Sequence, residues 1–302
     1  MIVVIGEALI DLAVDGSGGV RAHAGGGPFN VSRTIARLGQ PVAYLGAIST
    51  DRFGRQLAAL LEADGVSTTS VVGTELPTTL ALAELDEDGT ASYRFYIEGT
   101  SAPSLSPDQA RARIPAGVRA LHVGTLGLVL EPLADAVAAV VDDLAGSALV
   151  LLDPNCRPAV VADRARFLAR LATLARRAHV LKLSEPDLDY IAPGTPPVEA
   201  ARALIGPGRI ALLTRGGEGA TVVTPEQAIE VAAPAVEVVD TIGAGDAFGG
   251  AFLAWWVEHG LGAASLGELE PVVEATRFAC LVAAKTCERA GADPPWRAAL
   301  HA

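Results

Sequence analysis

Short apolar runs alternate along this chain with stretches of helical periodicity. The runs "IVVIG", "VAYLG", "ALHVG", "ALVLLD", "HVLKLS" and "RIALLT" read as buried strands, while apolar positions recur at helical spacing over 29–38, 53–61, Leu133–Leu144 and 167–175. That alternation predicts an α/β fold with a mostly parallel sheet and helices on both faces. Ligands in such folds sit at the carboxyl ends of the strands. Two segments break the rhythm: Leu9–Val14 before a glycine-rich turn at 16–19, and 78–85 before "DEDGT" and "ASYRFYIEG". They predict β-ribbons, the second turning at Asp88-Gly89, that form a small second sheet standing off the main one. No linker, repeat or low-complexity tract divides the chain, so residues 1–302 read as a single domain with lid segments at about 9–23 and 77–101. After Asp240 the pattern becomes helical, over 247–258 and 271–288.

Composition narrows the function classes. Half of the 302 residues are hydrophobic, enough for a large core, and the formal charge is -12 with no run of Lys or Arg. A phosphate backbone or an anionic membrane therefore finds no basic footprint, and neither nucleic acid nor membrane is expected as a partner. No stretch has the ~18 uninterrupted apolar residues of a membrane span, and "MIVVIGEALIDL" lacks the features of a signal peptide, so a cytoplasmic protein is expected. Cys156, Cys280 and Cys287 form no C-x-x-C pair, and the histidines show no H-x-x-x-H, which leaves neither a disulfide framework nor a zinc site.

The chemistry concentrates in "VVDTIGAGDAFGGAFLAWW", 238–256. Phe248, Ala251, Phe252 and Trp255 mark the buried face of a helix, and its amino end is the small-residue turn Gly243, Ala244, Gly245. Backbone N–H groups at a helix start lack intrahelical partners, and side chains this small let an anion approach them. Asp246 lies in the first turn. An acid there also stabilises a helix in its own right, but Asp240 and Thr241 already supply cap residues, so the flanking glycines need another reason. The functional reading is phosphoryl transfer: Asp246 takes the proton of an attacking hydroxyl while the turn's amides absorb phosphate charge. Two familiar phosphate motifs are excluded. The only lysines, Lys182 and Lys285, follow no glycine as a Walker A loop demands, and Phe248 stands where G-x-G-x-x-G needs its third glycine.

"DTIGAGDAF" and, earlier, "GGGPFNVSRTIARLG" together resemble the C-terminal and N-terminal signatures of the ribokinase-like (PfkB) carbohydrate kinases. The resemblance implies a three-layer α/β/α fold with a β lid, ATP as donor, Mg²⁺ on the phosphates and Asp246 as catalytic base. It also implies that Asp11 in "GEALIDL" and Asn30 bind the acceptor, with Gly26 and Gly27 letting backbone approach it. A carboxylate and an amide suit vicinal hydroxyls, although each also fits a turn or a helix cap. "LLTRGGEGATV" resembles the nucleotide-bordering strand and turn, which implicates Thr214, Gly217 and Gly219. In the helix that closes the adenine pocket, Cys280 stands in place of a family Asn. Ser184 and Asp187 replace the Asn and Glu of the element that tunes Mg²⁺ indirectly, and Asp240, Ile242 and Gly291 fall where relatives hold a monovalent cation such as K⁺.

"DPNCRP", 153–158, and "SYRFYIEGTSA", 92–102, are similar to fructokinase segments. Arg157 then lies near the phosphate path, able to stabilise transferring charge; the alternative is a surface arginine paired with Asp153 or Asp163. The resemblance implies fructose as acceptor, phosphorylated at its terminal hydroxyl. 2-Keto-3-deoxygluconate is the alternative, with Arg94 in the lid as the cation for its carboxylate. A non-catalytic sugar- or nucleotide-binding regulator and a nucleotide-dependent dehydrogenase remain more remote. An exposed lid face further suggests a homodimer joined there.

Overall fold

A computed structural model describes residues 1–14, 19–85 and 91–301. Strands β1 (Ile2–Ile5), β2 (Leu9–Val14) and β3 (Val20–Gly25) lead into helix α1 (Gly27–Arg37), which is followed by β4 (Val42–Leu45), β5 (Ala47–Ser49), α2 (Arg52–Ala63) and β6 (Val72–Thr74). Next come β7 (Leu80–Leu85), β8 (Ala91–Tyr96), α3 (Pro107–Ala112), β9 (Ala120–Gly124), α4 (Leu133–Leu144), β10 (Leu149–Asp153), α5 (Arg164–Ala175) and β11 (Val180–Ser184). The chain finishes with α6 (Glu185–Ile191), α7 (Pro197–Leu204), β12 (Ile210–Thr214), β13 (Ala220–Val223), β14 (Ala228–Val231), α8 (Ala244–Glu258) and α9 (Leu269–Cys287).

Eight strands form the main sheet in the order β14-β13-β12-β11-β10-β9-β1-β4. Pairing is parallel from β4 through β12, and β13 and β14 add an antiparallel edge. The fully buried inner strands explain why the sequence shows continuous apolar runs rather than alternation. One face packs its apolar side chains with α1, α2, α8 and α9, the other with α4, α5 and α7, giving three layers. The expected α/β/α fold is thus present.

A second sheet, in the order β3-β2-β7-β8, stands off the first, and β2 and β7 pair in parallel. Its register places Asp11, Ala81 and Phe95 on one face and Leu12, Leu82 and Arg94 on the other. Leu9 and Ala81, on the Asp11 face, pack against Leu126 and Leu130 just beyond β9. The small sheet therefore closes over the carboxyl ends of the main strands. Its turns at 15–18 and 86–90, including Asp88-Gly89, lie outside the described residues.

Helix α8 begins earlier than its apolar period announces. Gly243 is its N-cap, with φ 78 in the left-handed region that suits glycine, so the cap is neither Asp240 nor Thr241. Asp240 instead accepts from the N–H of Ile242 (3.0 Å) and of Gly291 (2.8 Å), tying the approach to α8 to the loop after α9.

Candidate active site

Three glycines at the junction of β3 and α1 bring the candidate carboxylates together. A methyl group on Gly25 would lie 2.0 Å from Asp11 Oδ2, and one on Gly27 would lie 2.5 Å from Thr125 Oγ1 and 3.4 Å from Asp246 Oδ1. Side chains at these positions would separate β2, the end of β9 and the start of α8. Gly26, between them, is the N-cap of α1. Asp11 and Asp246 thus rest against one short backbone stretch.

Asp246 is 9% exposed, and Asn30 Nδ2 donates to its Oδ2 at 2.8 Å. Burial pushes its carboxyl up to about 7, the nearby Asp153 adds to this, and the Asn30 hydrogen bond, Lys182 and Arg157 oppose it. A carboxylate titrating there suits proton acceptance near neutral pH. Asn30, expected on the acceptor, thus spends its amide N–H on Asp246; its Oδ1 is buried without a partner among the described residues. Asp11 is also raised, to about 6, by burial, with His23 and Arg157 countering.

The cradle differs in one donor from expectation. The Ala244 N–H already donates to Thr241 O at 3.2 Å, so its amide is not free. The N–H groups of Gly243, Gly245 and Asp246 have no partner among the described residues.

The other expected residues differ in their surroundings. Arg94 is exposed and lies on the opposite face of the small sheet from Asp11, so strand alternation keeps it from an acceptor held there. Cys280 is 3% exposed within the core along α9, and burial pushes its thiol up to about 11. Asp187 is buried and fully engaged, accepting from Cys156 N (2.7 Å), Ser184 N (2.8 Å) and Ser184 Oγ (2.5 Å). Ser184 and Asp187 therefore brace the loop after β10. Thr214 ends β12 and donates to Leu183 O at 3.2 Å. Gly219 lets its turn pass β14, since a methyl there would meet Val231 O at 2.1 Å, whereas Gly217 faces open space.

Arg157 pairs with neither Asp153 nor Asp163. It is exposed, donates to Asn155 O and Cys156 O at 3.3 and 3.2 Å, and its charge reaches Glu7, Asp11 and Asp246. Asp153 pairs instead with Lys182, at 3.0 Å, in the interior. Glu7 and Thr125 also escaped the sequence reading. Glu7, fully buried, accepts from Gly27 N at 3.2 Å, and burial raises it to about 8. Thr125 takes φ 54, a conformation that costs a β-branched residue on the order of 1–3 kcal/mol, at the point where β9 meets Gly27.

The model of the pfkB family carbohydrate kinases matches residues 1–299. The chain belongs to this family. A fructokinase of Rhizobium leguminosarum bv. trifolii is 34% identical over 263 residues, 84% of this chain and 79% of that protein. The crystal structure of a Xylella fastidiosa fructokinase with bound ATP superposes with a TM-score of 0.88 at 28% identity, covering 99% of this chain and 97% of that one. A Vibrio cholerae O395 fructokinase holding fructose, ADP and calcium gives 0.86 at 26%, with coverage of 99% and 97%. The protein is accordingly an ATP-dependent carbohydrate kinase of the PfkB type. Among the described residues no helix is long and apolar enough to cross a membrane.

Proposed function

We propose that this kinase transfers the γ-phosphoryl group of ATP to the terminal hydroxyl of fructose, giving fructose 6-phosphate. One observation carries the reading: Asp246, held by Asn30 and raised to about 7 by burial, stands in the same helix turn as the unpartnered N–H groups of Gly245 and Asp246. The hydroxyl gives its proton to Asp246 Oδ1, the oxygen that Asn30 leaves free. Its oxygen forms a bond to the γ-phosphorus as the bond to the β-γ bridging oxygen breaks, and ADP leaves. The cradle amides and Arg157 face the charge on the transferring group. Asp11 holds acceptor hydroxyls from the lid, and exposed Val238, Val239 and Ile242 offer apolar surface to the base of the nucleotide.

Among the described residues no cluster of acids, histidines or cysteines forms a metal cage. That fits Mg²⁺, which binds largely through phosphates and water. Asp153 Oδ1, buried and without a partner among the described residues, would accept from such water. The ion would supply charge neutralisation on the phosphates. A monovalent cation beside the Asp240–Gly291 junction belongs to the same proposal, tested by activity in potassium against a bulky organic cation. A second copy of the chain on the outer face of the small sheet, where Tyr96 is exposed, is tested by light scattering.

ADP release over a panel of free sugars tests the acceptor. Fructose is expected to give the highest kcat/KM, and a clear preference for ribose, adenosine or 2-keto-3-deoxygluconate would reject it.

A further inference from the structure

Only two of the chain's 23 basic residues are lysines. Lys285 lies near the surface and pairs with Glu288. Lys182, in β11, is 4% exposed, and its Nζ lies 3.0 Å from an Asp153 carboxylate oxygen. Asp153 is its only partner among the described residues. A methyl group on Gly245 would come within 3.0 Å of that same Nζ. The ammonium therefore abuts the first turn of α8 directly, one residue before Asp246.

A buried ion pair is a poor device for stability alone, since desolvating both charges offsets much of their attraction and an apolar pair often serves as well or better. Here the pair lies in the sheet directly against the candidate phosphate cradle. An arginine, which this chain otherwise prefers, carries a broad planar head that would displace Gly245. The compact ammonium fits. Its charge lies behind a turn where negative charge collects during transfer, in an interior that screens it little.

Building on the kinase reading above, we propose that Lys182, held by Asp153, is a positioning residue for phosphoryl transfer. Its ammonium sets the glycine turn of α8 against the sheet and supplies positive charge behind both the cradle and the Asp246 carboxylate. The charged and titratable groups around Asp246 are Glu7 after β1, buried His122 on β9, Asp153 and Arg157 at the end of β10, Lys182 on β11 and Asp187 on α6, while α1 contributes the neutral amide of Asn30. Lys182 and Arg157 are the cations of this set, and only Lys182 is buried beneath the turn.

The test compares the parent, Lys182→Met, Lys182→Arg and the charge-free pair Asp153→Asn/Lys182→Met, using the best sugar the parent accepts. Unfolding by circular dichroism establishes that each variant folds. The double variant keeps the comparison valid where Lys182→Met alone, with its unpaired Asp153, does not fold. Both variants lacking the ammonium are expected to lose roughly 10²-fold in kcat with the sugar KM little changed. In the double variant, where the opposing Asp153 charge is also gone, the acid limb of the pH profile should stay or fall, whereas the acid limb of the Lys182→Met profile should move to higher pH. Lys182→Arg should restore that limb without restoring the full rate, because its charge returns and its shape does not. A folded double variant with kcat within about threefold of the parent would overturn the proposal, as would a folded Lys182→Met variant with an unmoved acid limb. A parent inactive on every sugar would instead refute the kinase reading itself.

Discussion

Replacing Asp246 by Asn removes the proposed proton acceptor while preserving its outline. The helix start should survive, because Asn30 Nδ2, now 2.8 Å from Asp246 Oδ2, can donate to an amide oxygen equally well. A positioned general base contributes roughly 10²–10⁴ in rate, or ~3–5 kcal/mol of barrier. The variant is expected to lose kcat on that scale and to bind ATP as the parent does. Stability should move the other way. Burial holds the folded carboxyl at about 7 against an ordinary 3.8, so between those values the native protein keeps a proton that the unfolded chain has released. Stability contributed by this group therefore falls as pH rises through the window, and at about pH 8 the cost is at most on the order of 4 kcal/mol. Asparagine avoids it. Thermal unfolding and ADP release, measured from about pH 5 to about pH 8, should find Asp246→Asn melting above the parent at the alkaline end, the gap narrowing toward acid. The acid limb of the parent's kcat/KM should lie near the folded value of about 7. A variant that kept near-parental turnover, or that melted below the parent at high pH, would refute the reasoning.

Four further outcomes follow from other parts of the molecule. Asp64 accepts from Arg33 Nε (2.6 Å) and pairs with Arg37 Nε (3.0 Å) in a buried cluster, so Asp64→Ala should destabilise by about 3–5 kcal/mol, read by urea unfolding. Asp51 caps α2 through Gly54 N (2.8 Å) and accepts from Thr78 N and Oγ1 (2.8 and 2.7 Å); Asp51→Ala should lose roughly 1 kcal/mol at neutral pH. Although partial burial works against it, those hydrogen bonds hold the Asp51 carboxyl down at about 2, so the advantage over alanine should vanish as pH falls from about 4 through that value. Glu7→Gln should flatten the loss of stability that Glu7 contributes between its ordinary 4.5 and about 8, a slope of at most ~1.4 kcal/mol per pH unit in thermal unfolding. Gly27→Val should abolish turnover, since even a methyl would press on Thr125 and Asp246, and retained activity would remove the close approach from the account.

Much of the architecture was legible because its main-sheet strands are buried and apolar, and its longer helices carry wide apolar faces. The elements that escaped are short. Helices α3, α6 and α7 span too few turns to display a period, and β5 and β6 have three residues each. Within the site, the "GAGD" turn showed itself through small residues that capping alone does not require. The face Arg94 occupies, opposite Asp11, was hidden because it depends on the register of β8 against β7 and β2, which local pattern does not contain. Cys280 could have been placed correctly: with Val272, Ala275, Thr276 and Ala279 it follows the buried face of α9 at helical spacing. Lys182 carried a compositional signal, as one of two lysines in a chain that uses arginine elsewhere. Glu7 and Thr125 act through contacts with Gly27, and nothing in their own sequence neighbourhoods announces those contacts.

A crystal structure with fructose and a non-hydrolysable ATP analogue bound tests the central claim most directly. The account predicts the terminal hydroxyl of the sugar within hydrogen-bonding reach of Asp246 Oδ1, and the γ-phosphate resting on the N–H groups of Gly245 and Asp246. A γ-phosphate bound away from that turn, or a sugar whose hydroxyls all lie beyond reach of Asp246, would contradict it.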